Sequence, residues 1–121
     1  MLRFLLDEHL RGPLWLAIVR HNAGGGLPID AVRVGDEPNL PLGSDDGAIL
    51  LWAEREGRIL LTEDVHTIPV FLTQHLSGGH HSPGIFVITI GFSIKEIVSA
   101  LELVAHAGEP GDYADTISYL P

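Results

Sequence analysis

The chain has no cysteine, a single lysine (Lys95) and only 7 basic residues against 16 acids among its 121 positions. Without cysteine, neither a disulfide framework nor a thiolate metal site can form. The formal net charge of −9 argues against a broad basic nucleic-acid surface, because such binding rests mainly on cationic side chains neutralising phosphates. Long apolar runs are also missing: none approaches the roughly 20 residues that span a bilayer. Leu2–Leu6 is too short for the apolar core of a secretion signal. The sequence therefore predicts no membrane partner and a cytoplasmic location. It shows no internal repeat, linker or low-complexity segment, no Ser-His-Asp arrangement and no zinc-type spacing. A Gly-rich phosphate loop is absent too, since Gly24-Gly25-Gly26 follows a helix instead of a strand.

What remains is 45% hydrophobic and organised as one domain, residues 1–121. Short apolar runs alternate with amphipathic stretches, a pattern that predicts βαβ units and a mostly parallel sheet. Strands are expected at Leu2–Leu6, Ile29–Val34 (near an edge), Arg58–Thr62, Ile85–Ile90 and Thr116–Leu120. Helices are expected from Pro13 to about Asn22, from an N-cap at Ser44 to about Glu56, over Pro69–Leu76, and from Ser93 to Gly108. The last opens with a capping box, Ser93 to Glu96. Gly35–Gly43 and Ser77–Gly84 read as loops.

Two apolar runs stop on acids: Phe4-Leu5-Leu6 on Asp7-Glu8, and Ile59-Leu60-Leu61-Thr62 on Glu63-Asp64. Parallel sheets bind ligands just beyond the carboxyl ends of their strands, so Asp7 and Asp64 are candidate ligands at one site. Each also has a local role available, favouring the start of the helix that follows. Asp46 lies three, four and seven residues before Ile49, Leu50 and Ala53. Helical spacing thus places Asp46 on the sheet side of its helix and turns Asp45 toward solvent. Thr62 and Asp64 share a side if strand alternation persists, which lets the Thr62 hydroxyl orient Asp64 or a water. Three converging carboxylates repel: each pair at about 4 Å costs about 4 kcal/mol at an effective dielectric near 20, and about 1 kcal/mol in water. No basic residue sits among them in sequence, although Arg11 is near enough to fold back. A hard divalent cation such as Mg²⁺ would offset the repulsion and suits phosphodiester hydrolysis. His66 is read as a supporting donor, a ligand or a surface residue, and His9 is near the site through Asp7. His21, His75 and His106 read as helix C-terminal residues, and His80-His81 as part of a solvated loop.

Three segments together resemble the PIN-like proteins, and more narrowly a small bacterial branch of unknown function often encoded in toxin–antitoxin-like settings. They are Leu5-Leu6-Asp7-Glu8-His9-Leu10, Ser44-Asp45-Asp46 leading into Ile49-Leu50-Leu51-Trp52-Ala53, and Glu56-Gly57-Arg58-Ile59-Leu60-Leu61-Thr62-Glu63-Asp64. Pro83-Gly84-Ile85-Phe86-Val87-Ile88 is similar to that branch's next strand. The resemblance implies a three-layer α/β/α fold with a central parallel sheet and Mg²⁺- or Mn²⁺-dependent cleavage of RNA, with Asp7, Asp46 and Asp64 as catalytic and metal-binding acids. Thr62 matches the supporting hydroxyl, and Glu8 and His66 are read as further supporting residues of this chain. Implied partners are RNA as substrate and an antitoxin or other protein, with a homodimer left open. Many relatives carry a further acid where this chain has His66, so an inactive binding module working through a protein partner is the alternative. A phosphoacceptor receiver domain is a third reading; it needs a lysine after a late strand, and Lys95 sits inside a capping box instead.

Overall fold

Strand side chains leave alternate faces of a sheet, and a parallel sheet is covered on both. Near-continuous apolar runs such as Phe4-Leu5-Leu6 and Ile85-Phe86-Val87-Ile88 suit that setting. In the computed structural model, which describes residues 1–121, they form the middle of a five-stranded sheet. Its strands are β1 (Arg3–Leu6), β2 (Asp30–Arg33), β3 (Ile59–Thr62), β4 (Ile85–Ile88) and β5 (Ile117–Leu120), in the order β2-β1-β3-β4-β5. Every neighbouring pair is parallel. Helices α1 (Pro13–Ala23), α2 (Asp46–Glu56), α3 (Ile68–Ser77) and α4 (Ile94–Ala107) make the crossovers that parallel pairing needs.

The alternation sorts the core into two layers. Phe4, Leu6, Ile59, Leu61, Phe86 and Ile88 pack with α1 and α4 on one face. Leu5, Leu60, Ile85 and Val87 pack with α2 and α3 on the other. The result is the three-layer α/β sandwich expected, and β2 is an edge strand as its mixed pattern indicates. No helix is long and apolar enough to cross a membrane.

Local chemistry sets the helix ends that matter for the site. The N-cap of α2 is Asp45, not Ser44: the Asp45 carboxylate accepts from Ala48 N–H at 2.8 Å. Ser44 instead donates its hydroxyl to Pro41 O at 2.6 Å, inside the preceding turn. A carboxylate at this position satisfies an otherwise unpaired N–H and also meets the helix dipole, so the acid displaces the serine. Asp45 is exposed, as its helical position predicts, and it also serves as the local cap. The helix stops at Gly57, whose φ of 67° is left-handed and favours glycine. A short 3₁₀ turn, Glu8–Leu10, which the periodicity does not show, follows β1.

Candidate functional site

From β1 the chain crosses to β2 on one side, then returns past β1 to β3 on the other. The strand order reverses between β1 and β3, and in open α/β sheets a crevice opens at such a point. Asp7 is the first residue beyond β1, Asp64 lies two beyond β3, and Asp46 is the first residue of α2. All three line one cleft of about 280 Å³, together with Glu8, His9 and Gly43.

Thr62 joins two of the acids. It is 1% exposed, and its hydroxyl donates to Asp7 Oδ2 at 2.9 Å while accepting from Asp64 N–H at 3.1 Å. Asp7 Oδ1 caps the 3₁₀ turn by accepting from Glu8 N–H at 2.7 Å. Asp64 Oδ1 accepts from the N–H groups of His66 and Thr67, each at 2.9 Å, and its Oδ2 accepts from the Thr67 hydroxyl. The local capping roles of Asp7 and Asp64 are thus present alongside their convergence. Replacing Thr62 with Val removes the shared hydroxyl and leaves Asp64 N–H without that partner, a loss of about 1–3 kcal/mol for a buried group. Urea unfolding should register that loss, and divalent-ion affinity measured by calorimetry should fall with it.

The electrostatics separate the acids. Burial raises the pKa of Asp46, and the negative charges of Asp7, Asp64 and Asp45 raise it further, with His9 opposing. Asp64 moves the other way, lowered first by the Thr67 hydroxyl, then by the Thr67 and His66 N–H groups and the nearby His66 ring. The consequences for stability have opposite signs. Asp64 stabilises the fold above its unfolded pKa, and this support fades as pH falls through its lower folded pKa. Asp46 carries a penalty at neutral pH, relieved as pH falls through its raised folded pKa. In chelator, Asp46→Asn is accordingly expected to stabilise the chain at neutral pH, by less than about 1 kcal/mol because the group stays partly solvated. A denaturation midpoint equal to or below wild type would contradict this.

Comparison with family models, curated proteins and solved structures finds no match to this chain.

The remaining expected site residues divide. Glu8 lines the cleft, and its carboxylate accepts from Gly43 N–H at 2.6 Å, tying the loop before α2 to the end of β1. The His66 ring is exposed and does not line the cleft; the residue contributes its backbone N–H to Asp64. His9 does line it, a placement that follows from the 3₁₀ turn and had no periodic signal. Arg11 does not fold back. It donates to Val34 O at 2.6 Å and pairs with Asp36 at 3.0 Å. Neither lysine nor arginine lines the cleft. Three hard oxygen donors without a protein cation are the ligand type that Mg²⁺ and Mn²⁺ take, although the carboxylate oxygens of Asp7, Asp46 and Asp64 do not all lie within 4.8 Å of one another.

Proposed function

We propose that the chain is a PIN-like, divalent-dependent endoribonuclease, the toxin half of a toxin–antitoxin-like pair. The observation that supports it is the meeting of Asp7, Asp46 and Asp64 in one cleft that no lysine or arginine lines. Those three carboxylates would hold the ion. A hard divalent cation supplies phosphodiester hydrolysis with an activated water nucleophile and with positive charge against the phosphoryl oxygens. The chain's own part is positioning. Thr62 fixes the Asp7 carboxylate and the Asp64 backbone, and the Glu8–Gly43 bond anchors the loop that delivers Asp46. Asp46 keeps its oxygens for a ligand, whereas Asp64 commits most of its acceptor capacity to the start of α3. The acidic surface, net charge −9, suits a basic protein partner.

One observation favours a second reading, an inactive binding module. Both Asp64 oxygens are already engaged by His66 and Thr67, which weakens that residue as a ligand. The phosphoacceptor reading has less support: Lys95 lies in the first turn of α4 and does not line the acid cleft.

The test is cleavage of a mixed single-stranded RNA with Mn²⁺, with and without chelator. Turnover that requires the ion supports the nuclease. A folded chain with no calorimetric Mn²⁺ binding at about millimolar concentration and no turnover supports the binding module instead.

A further inference from the structure

The other end of α2 carries a second group of ligand-type side chains. Glu54 lies eight residues after Asp46, about 12 Å along the helix at about 1.5 Å per residue. His75 is in the last turn of α3, and its side chain is only 4% exposed. The Gly78-Gly79 turn, with Gly79 at a left-handed φ of 87°, brings His80 back over His75. The two rings stack with centroids 4.9 Å apart and planes 22° from parallel. Glu54 Oε1 lies beside the stacked pair, 3.3 Å from His75 Nε2 and 3.0 Å from His80 Nδ1. One ligand atom from each of the three residues lies within 4.8 Å of the others.

We propose that Glu54, His75 and His80 form a binding site for a borderline divalent ion of the Zn²⁺ type, separate from the acid cleft. A tetrahedral ion with ligands at about 2.0–2.1 Å holds them about 3.4 Å apart, close to the two separations seen here. Two imidazoles and one carboxylate suit zinc and its neighbours, whereas Mg²⁺ favours oxygen alone. The set has its own outer support. Glu54 Oε2 accepts from His81 N–H at 2.9 Å, which holds the carboxylate with Oε1 toward the rings. His75 Nε2 donates to the His81 carbonyl at 2.9 Å and lies 3.3 Å from Glu54 Oε1, and an ion at that nitrogen takes the proton's place. A cleft of about 220 Å³, lined by Leu51, Phe71 and Gln74 beside the two histidines, leaves the remaining coordination position to water. Binding there would pin α2, α3 and the loop entering β4 to one another. The site is structural in character and shares no residue with the acid cleft.

Calorimetric titration of Zn²⁺ into the full chain tests this, in an Asp7→Asn background that weakens the acid cleft as a competitor. One ion per chain and a raised thermal midpoint are expected, with the visible spectrum of a tetrahedral centre when Co²⁺ replaces Zn²⁺. Loss of an outer partner alone costs metal sites about 10–100-fold, so His80→Ala and Glu54→Gln should each weaken binding by more than tenfold. His80 is on the exposed loop and its removal leaves the core intact, which circular dichroism confirms or denies independently. His81→Ala should leave Zn²⁺ affinity unchanged. The proposal fails if Zn²⁺ does not bind saturably, or if binding survives both His80→Ala and Glu54→Gln. It fails equally if His81→Ala abolishes binding as fully as His80→Ala, which would place the ion on His81 and Asp115.

Discussion

Asp7→Asn and Asp46→Asn should each lower Mn²⁺-dependent RNA cleavage by at least about 100-fold. Removing a ligand takes away several kcal/mol of charge stabilisation at the reacting phosphate, and each 1.36 kcal/mol is a factor of about ten in rate. The substitution changes charge and hardly changes shape. In Asp7→Asn the new amide oxygen can still accept from Glu8 N–H, while the amide nitrogen cannot accept from the Thr62 hydroxyl, a cost of about 1 kcal/mol. Asp46→Asn removes a repulsion instead of a contact. Thermal and urea midpoints in chelator should therefore fall only slightly for Asp7→Asn and rise slightly for Asp46→Asn. That pairing of lost turnover with a retained fold separates a functional acid from a structural one. Undiminished hydrolysis in both variants would remove the nuclease reading, and calorimetry on the same samples would show whether the ion had left.

The largest loss of stability is expected from Phe86→Ala. Phe86 is 2% exposed on β4. Its ring lies 6.2 Å from Phe4 and meets Tyr113 edge-on at 4.8 Å. Truncating a buried phenylalanine costs about 3–5 kcal/mol in transfer and cavity energy, a large share of the roughly 5–15 kcal/mol typical of a domain. The cavity would open beside β3, which pairs with β4 through Thr62 and Val87, so ion affinity at the acid cleft should fall too. Ile90 is the control. It is 96% exposed in the turn after β4, and Ile90→Ala should cost less than about 0.5 kcal/mol. Guanidinium unfolding of the two variants would refute the packing account if their midpoints moved equally.

Much of this was legible in the residues. Apolar runs closed by acids marked β1 and β3, and the stripe Ile49, Leu50 and Ala53 placed Asp46 on the inner side of α2. Proline, glycine and the Ser93–Glu96 box punctuated the helices. The choice of Asp45 over Ser44 as the cap was not legible, because both residue types cap well and only the path of the preceding turn separates them.

Composition and periodicity alone determined the class of fold, the absence of thiol chemistry and the identity of the acids at the strand ends, because these depend on spacing along one chain. Only the folded chain decided the strand order that sets β1 beside β3, and with it the meeting of Asp7, Asp46 and Asp64. The same holds for His75 and His80, which as isolated letters are a helix end and a loop. Their contact with Glu54 exists because α2 and α3 pack on one face of the sheet and a glycine turn folds the chain back. Contacts between segments distant in sequence are set by packing, and no local pattern encodes them.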